Sequence, residues 1–174
     1  MNKKINIRPL QLSDEKEYCD LHNLVWRDAY KHIFPQQVFD EREKNLWLKS
    51  FSDFVAKDPS RINLVAEIDK KPVGFMSATL KSNYSHYNDK GFAEIMGLYI
   101  HPQYQKQGIG SMFKNLFINW AKENGATKFV IAVFKDNLKA RKVYEKWGGK
   151  LDNYTQSFEK LGMEYDEVFY TFVL

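Results

Sequence analysis

The chain has 174 residues, 44% of them hydrophobic and 16% aromatic, with one cysteine and a formal net charge of +4. Such a composition excludes an intrinsically disordered chain, the length suffices for one domain with a sizeable core, and a lone cysteine excludes an internal disulfide. So mild a positive charge does not by itself call for nucleic acid, and no apolar run is long enough to cross a bilayer.

A single continuous domain over residues 1–174 is expected, without linker or internal repeat. Ile5, Ile7 and Pro9 mark a short first strand. Asp14 follows as an N-cap with Glu17 as a capping-box partner, opening a helix whose Tyr18, Leu21, Val25 and Ala29 face the core. A second stripe, His22, Trp26 and Tyr30, recurs every four residues on the same helix. Pro35 breaks it, and a second helix is predicted over residues 39–54 with Trp47, Phe51 and Phe54 on one side. Strands at 62–69 and 72–81 are joined by Asp69-Lys70-Lys71-Pro72, and a polar-aromatic insert, residues 83–88, precedes a third apolar run at 93–100.

After that run comes Gln105-Lys106-Gln107-Gly108-Ile109-Gly110, then a helix beginning near Ser111 with Ile109, Met112, Phe113, Leu116, Phe117 and Trp120 as its stripe. Asn124-Gly125 ends that helix. Residues 128–134 read as a buried strand, residues 138–147 as a helix stopped by Gly148-Gly149, and 151–158 with 167–173 as a closing antiparallel pair. The order is β-α-α-β-β-β-α-β-α-β-β.

The glycine-containing turn carries chemistry. A strand that runs through glycines into a helix leaves several backbone N–H groups without intrahelical partners, aimed at one point at the positive end of the helix dipole. That arrangement cradles an anion, and glycines let a bulky phosphate come close. A P-loop would need Gly-Lys-Ser/Thr, which is missing, and the dinucleotide fingerprint would need a third glycine where Phe113 stands.

Gln105-x-x-Gly108-x-Gly110 resembles the cofactor loop of the GNAT superfamily of N-acetyltransferases. Residues 93–102 look like that family's fourth strand, with Gly97 where the strand bulges, and Asn137-x-x-Ala140-x-x-x-Tyr144 with the following Gly148 resembles its second cofactor motif. The likeness is specific over about residues 62–150; Trp147-Gly148-Gly149, where the family usually reads Gly-Phe, departs from it and implies a repacked start to the next strand with no effect on the chemistry. The resemblance implies an α/β GNAT fold, a mixed and curved sheet of about seven strands flanked by about four helices, with strands four and five splayed apart.

It also implies acetyl-CoA as cofactor and assigns roles by position. The pantetheine arm would pair with the backbone of Leu98, Tyr99 and Ile100 as an added strand. The pyrophosphate would meet the N–H groups of Gln107, Gly108, Ile109, Gly110 and Ser111, with Gln105 and Lys106 in the same loop, while Asn137, Ala140 and Arg141 approach the cofactor from the next helix. The Leu98 N–H would polarise the thioester carbonyl. Tyr144 would donate a hydrogen bond to the departing sulfur; full proton transfer is less favoured, because a free phenol titrates near 10 and a thiol near 8.5. Only about one part in a thousand of an aliphatic amine is neutral at pH 7, so a base is wanted, and Glu94 is the candidate. Each residue has a plainer reading beside this one: Glu94 as an exposed edge carboxylate, Tyr144 as a core aromatic, Asn137 as a helix cap.

For the acceptor, Trp26, Tyr30 and Tyr84 form the expected wall, alongside acidic Asp28, Glu41 and Glu43; the plainer reading of the same residues is helix–helix packing and a mobile hairpin. The expected partner is a small-molecule or peptide amine, with no nucleic acid and no membrane. Cys19 reads as buried on a helix face, and His22, His32, His86 and His101 show no metal spacing, so no metal is expected. The lack of a leader points to the cytoplasm. Residues 169–174 could be an apolar edge strand that pairs in a homodimer, or a core strand. Two readings stay beside a ternary-complex N-acetyltransferase: an acyl-CoA-binding sensor without catalysis, and a nucleic-acid binder, disfavoured by the lack of a recognition helix.

Overall fold

The structure, a computed structural model, describes residues 4–44 and 51–174. Its elements run β1 (Ile5–Pro9), α1 (Glu15–Tyr30), α2 (Gln36–Lys44), α3 (Phe51–Val55), β2 (Arg61–Ile68), β3 (Lys71–Thr79), α4 (Ser85–Asn88), β4 (Ala93–Ile100), α5 (Ile109–Glu123), β5 (Lys128–Phe134), α6 (Leu138–Lys146), β6 (Lys150–Lys160) and β7 (Met163–Val173). All seven strands form one mixed sheet in the order β1-β2-β3-β4-β5-β7-β6. Every neighbouring pair is antiparallel except β4 and β5.

The parallel pair is short. Only Ala93 with Phe129 and Glu94 with Val130 are in register, so β4 beyond Glu94 has an edge that β5 does not cover. Its other edge pairs with β3 from Glu94 to Ile100, and that ladder slips between Ser77 and Ala78, whose partners are Gly97 and Ile95. Met96 is therefore the extra residue of a bulge. The bulge changes which way β4 faces. Ala93, Ile95, Leu98 and Ile100 all join the core under α5, whereas Glu94 bonds to the loop before α4 and Tyr99 packs with α1. In a regular strand, Glu94 and Tyr99, an odd number of residues apart, would face opposite sides. The added residue brings both to the α1 side.

On the opposite side, α5 lays the ridge Ile109, Phe113, Phe117 and Ala121 into the core, all of them essentially fully buried. Burying each of the two phenylalanines contributes roughly 1.5–3 kcal/mol. Met112 and Leu116, expected in the same stripe, are exposed, because strict four-residue spacing suffices to fill this narrow contact. The helix also starts two residues earlier than predicted, at Ile109.

Other expectations are corrected. The segment predicted as one helix over 39–54 forms α2 and α3, and Trp47 lies outside the described residues. With the single-turn α4 in the insert, the described residues form six helices where about four were expected. Asp14 does not cap through Glu17: its carboxylate accepts from the Arg8 guanidinium at 2.7 and 2.8 Å and from the Gln11 N–H at 2.8 Å. The closing hairpin is longer than predicted, turning through Leu161 and Gly162, both with positive φ as a tight two-residue hairpin requires. The apolar segment 169–174 is no edge: β7 lies between β5 and β6, and the strand at the margin is the more polar β6. Among the described residues no helix is long and apolar enough to cross a membrane, and no group of three or more His, Cys, Asp or Glu is placed to hold a metal ion.

Candidate active site

The loop between β4 and α5 is built to keep its amides available. Gly108 caps α5 with φ +85°, a conformation that costs an L-residue roughly 1–2 kcal/mol, and Lys106 before it is also left-handed at φ +60°. The first intrahelical bond runs from the Met112 N–H to the Gly108 carbonyl, so the N–H groups of Ile109, Gly110 and Ser111 precede the ladder. No side chain caps this end and no acidic residue stands in the first turn. A Cβ on Gly108 would meet nothing within 4 Å, so the approach is open. The Ile109 side chain points into the core, while Lys106, Gln107, Gly108 and Ser111 are exposed.

Two loop side chains serve the turn itself. Gln105 Nε2 donates to the Ile100 carbonyl at 3.1 Å, and Gln107 Nε2 to the Gln103 carbonyl at 3.2 Å. Gly110 lies where three elements converge: a Cβ there would stand 3.4 Å from Ile100 Cδ1, 3.5 Å from Trp147 Cζ2 and 3.8 Å from Leu98 Cδ2. The start of α5, the open edge of β4 and the end of α6 thus border one slot. Trp147, part of the departure from the family pattern, is one of its walls.

Across the slot, α6 begins at Asn137, which is buried and whose Oδ1 accepts from the Ala140 N–H at 3.2 Å. It is a helix cap in fact. Arg141 is committed in part, its Nε donating to the Tyr170 hydroxyl at 3.2 Å and its Nη1 to the Lys135 carbonyl at 2.9 Å. The α6 terminus is a Schellman arrangement, with Gly149 N–H on the Tyr144 carbonyl, Gly148 N–H on that of Glu145, and Gly148 left-handed at φ +89°.

Tyr144 is half-buried between Trp147 and Tyr170, at ring distances of 5.8 and 5.9 Å, and among the described residues its hydroxyl makes no hydrogen bond. Burial, with the nearby Tyr99 phenol, pushes its pKa far above the usual tyrosine value. Tyr144 packs with the α5 side of the sheet, yet it acts electrostatically on Tyr30 of α1. Between them β4 and β5 have parted, their pairing having ended at Glu94 and Val130.

On the α1 side the gap is lined by aromatic rings. Tyr30 packs edge-on to Phe134 at 5.1 Å and to Trp26 at 4.9 Å, and Tyr99 edge-on to His22 at 5.0 Å. Trp26 also forms one end of a cleft of about 340 Å³ with Phe34, Val38, Arg42 and Phe158, where the Arg42 guanidinium lies 4.3 Å over its ring. Tyr84 points the other way along the groove, donating its hydroxyl to Glu167 Oε2 at 3.1 Å with its ring against Phe169.

Glu94 is not an exposed edge carboxylate. Only 4% exposed, it accepts from the Ser82 hydroxyl at 3.0 Å and the Asn83 N–H at 2.7 Å, both at Oε2. Burial raises its pKa and these bonds oppose the rise. Sequence reasoning missed Glu167 altogether. It is half-buried on β7 beside Phe134, and burial together with the Glu94 charge raises its pKa. The signal was available: Glu167 stands two residues before Phe169, on the same face of the strand, so a carboxylate in line with that aromatic needed a reason.

Residues 19–149 match the profile of the Acetyltransferase (GNAT) family. The chain is 24% identical over 146 residues to an uncharacterized N-acetyltransferase of Methanocaldococcus jannaschii, covering 84% of this chain but only 61% of that protein's length. It is 22% identical over 149 residues to an aminoglycoside N(6')-acetyltransferase type 1 of Acinetobacter haemolyticus, covering 83% of this chain and 90% of that one. In fold it is similar to the PaiA N-acetyltransferase of Thermoplasma acidophilum in complex with coenzyme A, with a TM-score of 0.70 at 19% identity over 94% of this chain and 98% of that one. A probable acetyltransferase of Staphylococcus epidermidis aligns with a TM-score of 0.74 at 15% identity over 98% of this chain and 99% of its own.

Proposed function

The chain belongs to the GNAT family of acetyltransferases, and we propose that it transfers the acetyl group of acetyl-CoA directly to a primary amine of a small molecule or peptide held in the same complex. One observation carries the reading: the pairing of β4 with β5 stops at Glu94, which leaves an uncovered β4 edge leading to the uncapped N-terminus of α5, with the Tyr30 and Phe134 rings at the end of β5. These features fit coenzyme A. An uncovered strand edge suits the amides of its pantetheine arm, and open glycine-bounded N–H groups suit its pyrophosphate. Bound acetyl-CoA supplies the acetyl group as an activated thioester.

The rest falls to the chain's own residues. The backbone of Leu98 and Ile100, which face the uncovered edge while Tyr99 between them is paired with Phe75, would hold the arm, with Asn137 and Ala140 at its far side. The amides of Gly108 to Ser111 would bind the pyrophosphate, with Lys106 adding charge. The Leu98 N–H donates to the carbonyl oxygen as negative charge gathers there. Tyr144 donates its hydroxyl hydrogen bond to the departing sulfur. Trp26, Tyr30 and Tyr84 bound the space for the acceptor.

Cys19 takes no part as a nucleophile. It lies buried on α1 among Leu10, Tyr18 and Phe75, and burial pushes its thiol up, so the amine attacks without an acyl-enzyme. Release of free thiol from acetyl-CoA in the presence of a panel of amines tests the proposal. Amine-dependent release supports it; measurable acetyl-CoA binding with no release on any amine would leave the non-catalytic sensor in its place.

A further inference from the structure

Within that reading of the site, we infer that Glu167, and not Glu94, is the carboxylate that binds the acceptor's ammonium group and takes its proton. Glu94 is spoken for. Its carboxylate, 4% exposed, ties the start of the 82–88 segment to β4 by accepting from both Ser82 and Asn83 at Oε2, and so serves to hold Tyr84 in place. Glu167 has one described hydrogen-bond partner, the Tyr84 hydroxyl, which occupies only part of Oε2 and leaves acceptor capacity free.

Its position is also the right one. Phe134, its β5 neighbour, is the last residue of that strand, where β4 and β5 are no longer in register, and Tyr30 packs on Phe134. The phenol of Tyr30, whose ring packs on Phe134, and that of Tyr99 both lie within electrostatic reach of Glu167, and Tyr30 also within reach of Tyr144. An amine resting on Glu167 against these rings lies on the path to the gap.

The charged and titratable groups around Glu167 set its behaviour. Tyr84, from the segment after β3, lowers its pKa by hydrogen bonding; Glu94, from β4, raises it by charge; burial raises it most. Tyr99 and Tyr30 face it as neutral phenols, its cross-strand neighbours Phe134 and Gln156 carry no charge, and Asp166 beside it on β7 is held by Lys135 and Ser157. The net direction is upward, toward the range useful to a base at neutral pH. In the step itself one N–H bond of the ammonium breaks and one O–H bond forms on Glu167. The nitrogen keeps the electron pair needed for attack, and the proton passes to water as product leaves.

The experiment uses the full chain with spermidine, kanamycin and an alanine-headed tetrapeptide as amines. In wild type, kcat/KM for the best amine should rise with unit slope through an acid limb. In Glu167→Gln it should fall about 100-fold at pH 7 and lose that limb, with KM for acetyl-CoA within twofold. Binding of the same amine without acetyl-CoA, measured by calorimetry, should weaken about tenfold. Tyr84→Phe should move the limb to higher pH and Glu94→Gln to lower pH, shifts that a purely structural role does not produce. A limb that survives Glu167→Gln, or one that vanishes in Glu94→Gln, overturns the inference. Where Glu167→Gln fails to fold, an unmoved limb in Tyr84→Phe overturns it alone. A wild type that binds acetyl-CoA yet acetylates none of the amines refutes the function instead; equal amine binding by wild type and Glu167→Gln then overturns this inference separately.

Discussion

Replacing Tyr144 with phenylalanine separates chemistry from architecture, because among the described residues its hydroxyl has no hydrogen-bond partner. The ring contacts to Trp147 and Tyr170 survive in phenylalanine. Stability should therefore stay within about 0.5 kcal/mol of wild type. Turnover should not. A hydrogen bond to a group that becomes charged contributes roughly 1.5–3 kcal/mol, and at 1.36 kcal/mol per tenfold the loss in kcat is about 10- to 150-fold. Burial has moved the phenol well above its ordinary value, far past a thiol, so Tyr144 acts as a hydrogen-bond donor and does not give up its proton. Accordingly kcat should show no Tyr144-dependent fall up to about pH 10. Thiol release at saturating amine gives kcat, and calorimetry gives acetyl-CoA affinity. A drop in kcat below threefold, or a loss of affinity matching the loss in kcat, refutes the role; a fall in kcat near pH 9 that disappears in the variant would make Tyr144 a true acid.

Gly149→Ala should lower the melting temperature by roughly 3–10 °C in a calorimetric scan, since its Cβ would sit 2.6 Å from Phe172 Cζ and 2.9 Å from the Tyr144 carbonyl, while Phe172 is pinned flat on Phe129 at 4.3 Å. His22 is buried and neutral, its pKa lowered to about 3 by burial and by Arg42. Its contribution is complete above its unfolded pKa of about 6.5 and is lost at about 1.4 kcal/mol per pH unit as pH falls toward 3; urea titrations from pH 7 to 4 should show a flatter decline in His22→Phe. Asp14 is held below the ordinary carboxylate range by the Arg8 guanidinium, so its contribution is present above about pH 4 and lost as pH drops through the folded value. Asp14→Asn should cost roughly 1–3 kcal/mol at pH 7 by urea unfolding, with the deficit shrinking below pH 4.

The donor half of the site was readable because each piece of it is contiguous. A turn that must expose amides shows its glycines, and a helix that must present Asn137 and Tyr144 to one side shows them two turns apart. Even there the reading stopped short of particulars. Gly97 hinted at a bulge, but the extra residue is Met96, and only the register with β3 reveals it. Gln105 and Arg141 belong to the right motifs, yet much of their bonding capacity goes to the protein's own carbonyls and to Tyr170. A motif marks where a residue sits and says little about which of its atoms are left for a ligand.

The acceptor half could not be read in that way, because no single stretch of chain encodes it. Tyr30 comes from α1, Tyr84 from the segment before α4, Tyr99 from β4 and Glu167 from β7. Two long-range events bring them together. The Met96 bulge turns Tyr99 to the side where Glu94 anchors Tyr84, and the insertion of β7 between β5 and β6 puts Glu167 next to the end of β5. Neither leaves a local period in the sequence: a bulge shifts phase without changing composition, and strand order inside a sheet is set by pairing partners far along the chain. On the proposed reading, specificity rests on the part of the fold with the least local signature. Changes to the exposed part of the 82–88 segment or to Glu167 should alter which amine is accepted while leaving the coenzyme A slot, built from β4, α5 and α6 and backed by Tyr170 of β7, unaffected.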